Sequence, residues 1–177
     1  MDCLLLFPPG WDPCQPYLSL PILKAELEFA NIRNSCLDLN ILFYEYLTSK
    51  TFIEKAVDTK LSPEISISHV PLLEKAKHIL KSNLFYKKRY REYAYNCFES
   101  YFSSINKVFP LLQLSLGRLN FSDKVTDEFI ETVLINKSAL PFFSFFNYSL
   151  PIDDYNYKYK IIGISLTSID QLIPTII

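Results

Sequence analysis

A run of six residues, Asp2-Cys-Leu-Leu-Leu-Phe7, and the break after it constrain this chain more than any other stretch. The run is short and apolar, and Pro8, Pro9 and Gly10 close it, so residues 2–7 read as a buried β-strand. From Tyr17 to Asn31 the period changes. Leu20, Leu23, Leu27 and Ala30 recur at three- and four-residue steps, with Lys24, Glu26 and Glu28 largely between them. Pro21 sits in the first turn, where a missing amide costs little, and Asn31 is a natural stop. Residues 35–39 return to strand character. Strand, stiff loop, helix and strand within about 40 residues fit a right-handed parallel unit. In open α/β sheets ligands lie beyond the carboxyl ends of the strands, so the loop Pro8–Tyr17 is the first place to look for a site.

Asp38-Leu-Asn40 closes the second strand. These polar residues either cap the next helix or face a ligand, and capping is favoured. Leu42–Leu47 opens a further helix. Residues 48–157 then read as helical, with no convincing strand: one helix over 71–83, one over 85–108, and one beginning in Ser122-Asp-Lys-Val-Thr-Asp-Glu-Phe129 with Ser122 as its cap. Pro110 and Gly117 mark breaks. A third strand, Lys160-Ile-Ile-Gly-Ile-Ser-Leu-Thr167, is β-branched and apolar, as in the interior of a parallel sheet. Ser165, Thr167 and Ser168 stand at its carboxyl end, and a helix starts at Asp170. The expected fold class is α/β: a Rossmann-like doubly wound parallel sheet, incomplete with three strands present, and a long helical insertion between strands 2 and 3. Residues 1–47 and 158–177 form the α/β part and 48–157 the insertion. Three parallel strands, and a last helix ending in Ile176-Ile177, are expected to leave apolar surface for further strands of this protein or of a partner.

Composition excludes several function classes. Three glycines, with neither G-x-G-x-x-G nor G-K-[ST], argue against a phosphate-cradling loop. A net charge of −1 gives no global field to attract nucleic acid or an anionic membrane. The run Tyr86-Lys-Lys-Arg-Tyr-Arg-Glu-Tyr-Ala-Tyr95 offers Arg89, Arg91, Tyr86, Tyr90 and Tyr93 for base stacking and phosphate contact. On the ground of net charge it reads instead as a solvated helix with its tyrosines packed on the domain, and no nucleic acid is expected. No basic leader and no apolar run near 18 residues is present, so neither a signal peptide nor a membrane span is read. Leu140-Pro-Phe-Phe-Ser-Phe-Phe-Asn-Tyr148 is too short to span and reads as a buried loop or an interface. Cys3, Cys14, Cys36 and Cys97 lack C-x-x-C spacing. They read as free thiols in a reducing cytoplasm, with Cys3 and Cys36 in the core. No catalytic residue and no metal-ligand set is readable.

Two strand–loop segments carry a family resemblance. Leu4-Leu-Leu-Phe-Pro-Pro-Gly-Trp-Asp-Pro13, then Pro16-Tyr-Leu-Ser-Leu-Pro-Ile-Leu-Lys-Ala25 and Leu37-Asp-Leu-Asn-Ile-Leu-Phe-Tyr44, resemble the opening of the B12-binding domain of cobalamin-dependent radical SAM proteins. Ile161-Ile-Gly-Ile-Ser-Leu-Thr-Ser-Ile-Asp-Gln-Leu-Ile-Pro174 resembles that domain's third strand and next helix. The resemblance covers residues 1–47 and 158–177, and the middle region has no counterpart. It implies a corrinoid held over the strand ends. Pro8, Pro9, Gly10, Trp11 and Tyr17 would approach one face of the corrin, and Ser165, Thr167 and Ser168 would offer hydroxyls to the tail or ring amides. It also implies cobalamin as cofactor and methyl transfer or related radical chemistry in the full protein. S-adenosyl-L-methionine and a 4Fe-4S cluster are expected only in a further C-terminal part. Two departures matter. His69 and His78 lie in the middle region, outside any Asp-x-His-x-x-Gly loop, so no lower cobalt ligand is readable, and no C-x-x-x-C-x-x-C triad is present to hold a cluster. The expected partners are therefore a corrinoid and the remainder of the radical SAM protein, or a partner chain. The alternative is a non-enzymatic helical protein-interaction module on a small α/β base, which binds through its aromatic middle and the Leu140–Tyr148 stretch.

Overall fold

The computed structural model describes residues 2–13, 15, 17–59, 61–122, 124–149 and 159–177. The expectations for Cys14, for the last residues of the insertion, 150–157, and for residue 158 lie outside them. The chain opens with β1 (Asp2–Phe7), crosses through α1 (Ser19–Phe29) and returns in β2 (Arg33–Asp38), parallel to β1 with Asp2 beside Arg33 and Phe7 beside Asp38. Asn31 takes the left-handed turn between them at φ 56°, a conformation Asn tolerates better than most residues. Asp38 then caps α2 (Leu39–Leu47), its Oδ1 accepting the Ile41 amide at 2.9 Å, so the helix begins three residues before the Leu42 start that the periodicity suggests. Next come α3 (Lys50–Asp58), capped by Ser49, then α4 (His69–Leu80) and the long α5 (Lys88–Val108), preceded by a 3₁₀ turn over Asn83–Tyr86.

A β-hairpin follows, β3 (Leu112–Ser115) and β4 (Arg118–Phe121), antiparallel with Leu112 opposite Phe121. This corrects the expectation that residues 48–157 hold no strand. The cause is local: Leu112, Leu114, Leu119 and Phe121 alternate along the hairpin and all four are buried, with Leu116 and Gly117 making the turn. The next helix, α6 (Asp127–Ile135), is capped by Thr126 rather than Ser122, because the Thr126 hydroxyl lies 3.3 Å from the Phe129 amide it accepts. After α7 (Phe142–Ser149), strand β5 (Ile161–Ile164) pairs parallel with the free edge of β1, Cys3 beside Ile161 and Leu6 beside Ile164. A 3₁₀ turn over Ile169–Gln171 leads into α8 (Leu172–Ile176).

The chain is thus mixed α/β, with a three-stranded parallel sheet in the order β2-β1-β5 and a separate two-stranded hairpin. Alternation along β1 splits the interior into two cores. Cys3, Leu5 and Phe7 pack with Leu20 of α1. Leu6 faces the other way, with Leu37 of β2, toward the larger core that joins Phe43, Leu47, Tyr101, Phe102, Phe142 and Ile173. The aromatic stretch after Leu140 belongs to that core: Leu140, Phe142 and Phe145 are buried, which removes the basis for reading the whole stretch as an interaction patch. The first core is narrower than the periodicity suggests. Leu20 is the only residue of α1 that is buried, while Leu23 and Ala30 are exposed. Cys36, expected inside, is exposed, because it stands on an outer strand that α1 leaves uncovered there. Among the described residues no helix is long and apolar enough to cross a membrane.

Candidate functional site

The order β2-β1-β5 fixes where a site can form. The chain leaves β1 to pair on one side through β2 and much later on the other through β5. The reversal falls between the carboxyl ends of β1 and β5, where the loop after Phe7 meets the loop after Ile164. The two loops carry the eight predicted site residues and are locked together by one side chain that composition and motif do not single out. Gln171 is fully buried. Its Oε1 accepts from the Thr167 amide at 2.7 Å, the Thr167 hydroxyl at 3.0 Å and the Ser168 amide at 3.2 Å, while its Nε2 donates to the Pro8 carbonyl at 2.9 Å. Ser168 caps the same turn, accepting the Asp170 amide at 3.2 Å. Gly10 makes the joint possible. It sits at φ 119°, and a Cβ there would lie 2.8 Å from the Asp170 carbonyl carbon. Only glycine fits both the conformation and the space.

Asn40 holds the first loop from below. Its Oδ1 accepts the Gly10 and Trp11 amides at 3.1 and 3.2 Å, which fixes the orientation of the side-chain amide. Its Nδ2 is buried with no partner among the described residues. Tyr17 stacks on Phe7 with ring centroids 3.8 Å apart and donates its hydroxyl to Asp38 Oδ2 at 2.6 Å. Burial, and then the hydrogen bond to Asp38, push the Tyr17 phenol well above its ordinary range. Asp38 therefore serves both as helix cap and as the acceptor for Tyr17.

The structure brings Pro8, Pro9, Gly10, Trp11, Tyr17, Ser165, Thr167 and Ser168 to one end of the sheet but gives them different stations. Pro8, Pro9 and Gly10 are buried inside the joint. Trp11, Tyr17, Ser165 and Ser168 are half-buried, and Thr167 is exposed beside Leu166, which is 48 % exposed. The hairpin tip leans over this end, so that a Cβ on Gly117 would come 3.7 Å from Asp12 Oδ2. The polar cleft between them, about 150 Å³, is lined by Trp11, Asp12, Gln15, Arg118, Asn120 and Asp170. That is too small to enclose a large ligand, so one bound here would lie on the face rather than inside it. On the opposite side of the sheet an apolar cavity of about 190 Å³ is lined by Leu4, Leu6, Leu37, Phe146, Ile162 and Ile164.

Among the described residues no group of three or more His, Cys, Asp or Glu side chains could hold a metal ion. Both histidines lie on α4, and His69 packs on Tyr101 with its Nδ1 at Ser66. Sequence reasoning found the two loops and read Asp38 and Asn40 as caps or ligand-facing residues; Asp38 is the cap, Asn40 instead holds the first loop, and Gln171 was missed. The capping serine three residues before Gln171 signals the turn it sits in, but not the reach of its side chain to Pro8. Comparison of the chain with family models, curated proteins and solved structures finds no match.

Proposed function

We propose that the joined ends of β1 and β5 are the cofactor face of a cobalamin-binding domain, doubly wound in the Rossmann manner, and that the chain is the N-terminal part of a cobalamin-dependent radical SAM enzyme. The observation that carries this reading is the Gln171 joint. It makes one firm surface of two loops at the point where strand order reverses, where open α/β sheets take their ligands. The motifs behind the family resemblance fall on this joint: Pro8-Pro-Gly10 within it, Asn40 beneath it and Ser165-Leu-Thr-Ser168 along its rim.

A corrin is a broad, partly apolar disc edged by amides, and an open face suits it better than a closed pocket. Trp11 and Leu166 offer apolar support, and Ser165 and Thr167 offer hydroxyl oxygens that can accept from ring or tail amides. Pro8, Pro9, Gly10 and Tyr17 act from below, holding the platform in shape. When bound, the corrinoid would supply methyl transfer or related radical chemistry. The four cysteines, at 3, 14, 36 and 97, cannot hold a 4Fe-4S cluster in C-x-x-x-C-x-x-C spacing, so S-adenosyl-L-methionine and the cluster would belong to further residues or a partner chain. Free thiols at Cys3, Cys36 and Cys97 suit a reducing cytoplasm.

The chain contains a single tryptophan, so its fluorescence reports on this face alone. Titration with hydroxocobalamin should quench Trp11 saturably and shift the corrin absorption bands. A natively folded protein, shown by near-ultraviolet circular dichroism, that gives neither response overturns the proposal.

A further inference from the structure

A second surface, on the insertion, has no part in the face described above. Residues 70–95 hold seven lysines and arginines against two glutamates, a local charge of +5 in a chain whose total is −1. The near-zero total, the ground for reading Tyr86–Tyr95 as a merely solvated helix, averages over a polarised molecule. Ion pairs engage three of these cations: Lys77 with Glu74, Lys81 with Glu45 and Lys88 with Glu92. Among the described residues no carboxylate lies within salt-bridge distance of Lys87 or Arg89. Lys75 rests 4.8 Å from the centroid of the Tyr93 ring, and Arg91 5.8 Å from that of Phe85. Lys87, Lys88 and Arg89 also crowd the start of α5, where the helix dipole disfavours cations and an anion would relieve them.

The tyrosines here are not packed away. Tyr86 is 79 % exposed, Tyr90 41 % and Tyr95 36 %. Lys75, Arg89, Tyr90 and Tyr93 line one cavity of about 320 Å³ between α4 and α5, so cations and aromatic rings share a single recess. We propose that this α4–α5 face binds single-stranded nucleic acid, its exposed tyrosine rings stacking bases while Lys75, Lys87 and Arg89 take the phosphates. An acidic protein segment would satisfy the cations but leave the faces of Tyr86 and Tyr90 without a partner, whereas a single strand supplies a flat ring and an anion at each step.

The test is binding of the whole chain to fluorescein-labelled oligo(dT) and oligo(U), followed by anisotropy across a salt series. Binding should weaken with salt, and the double variant Lys75→Ala/Arg89→Ala should flatten the log–log slope by about 0.7 for each cation removed. Tyr90→Ala should weaken binding roughly tenfold, while Tyr90→Phe, which keeps the ring, should bind as the parent does. Tyr90 and Arg89 are exposed, so neither change threatens the fold. The proposal is overturned by absence of binding at low salt. Equal binding to polyglutamate or to phosphatidylserine vesicles, with no loss on Tyr90→Ala, also overturns it and marks the face as a general anion surface.

Discussion

Gly10 and Gln171 do at the scale of single residues what no pattern in either loop does alone. A side chain at position 10 would be strained at φ 119° and would press on the backbone of Asp170. Gly10→Ala is therefore expected to cost about 1–3 kcal/mol for the conformation alone, before any cost of overpacking. A lower urea midpoint with an unchanged m-value would show it. Gln171→Ala would remove the partner of the Thr167 and Ser168 amides, which water can reach, and leave the buried Pro8 carbonyl unsatisfied, at about 1–3 kcal/mol for that carbonyl. The same variant should weaken any ligand of the β1–β5 face, because the loops lose their fixed spacing. Tyr17 gives a pH signature. Its pKa is raised in the folded chain, so the native state keeps a proton that the unfolded chain releases near pH 10. The stability this proton carries is complete below that value and is lost as pH climbs toward the higher folded pKa, at a slope of about 1.4 kcal/mol per pH unit. Tyr101, buried and donating to the Leu47 carbonyl at 2.6 Å, is raised in the same direction. Denaturation midpoints measured from pH 9 upward should fall for the parent and fall less for Tyr17→Phe. A parallel decline in both would remove Tyr17 from the account.

Secondary-structure elements differ in how plainly they can be read from sequence, and the reason is where each finds its partners. β1 and β5 announce themselves because each is a short apolar run, whereas β2, Arg33–Asp38, is mostly polar and is marked by its place between the Asn31 turn and the Asp38 cap, which is legible because it acts three residues away. The hairpin is harder. Its strands are four residues each, so the alternation of Leu112, Leu114, Leu119 and Phe121 is too brief to stand out among helices. What stabilises it lies on another element: Asn106 of α5 donates to the Leu114 carbonyl at 2.9 Å and accepts the Leu114 amide at 2.8 Å, completing a strand edge with a side chain. Asn106→Ala should cost about 1–3 kcal/mol and speed exchange of the Leu114 amide, while the α5 amides around it stay protected. The joint of the candidate site is illegible for the same reason carried further. Gln171 reaches Pro8 across 163 residues and Asn40 reaches Gly10 across 30, distances at which no local pattern shows which polar side chain will be turned inward.

Across the whole molecule, the two cores are unequal, and stability should follow them. The larger core runs from Leu39 to Ile173 and includes fully buried Tyr101, Phe43, Phe102, Phe142 and Phe145. The smaller one is Cys3, Leu5, Phe7 and Leu20, with Trp11, Tyr17, Leu27 and Ile32 at its margin. Helix α1 covers that side of the sheet with Leu20 alone fully buried, while Leu18, Ile22 and Phe29 are 69 %, 56 % and 89 % exposed. An element anchored by so little buried apolar surface can open while the rest stays closed, because local opening free energy tracks the apolar contact that must be given up. Native-state hydrogen exchange should therefore show α1 amides exchanging through openings well below the global unfolding free energy, and the amides of α5 near Phe98–Ile105 exchanging only through global unfolding. Leu20→Ala should lower protection in α1 and around Trp11, and shift Trp11 fluorescence, with little change in α4 and α5. Phe43→Ala, in the larger core, should instead lower protection throughout and cost about 3–5 kcal/mol. Uniform protection across α1 and α5, or a Leu20→Ala effect spread evenly over both cores, would mean that the sheet and the insertion unfold as one unit. The β1–β5 face would then draw its firmness from the whole molecule rather than from the Gln171 joint.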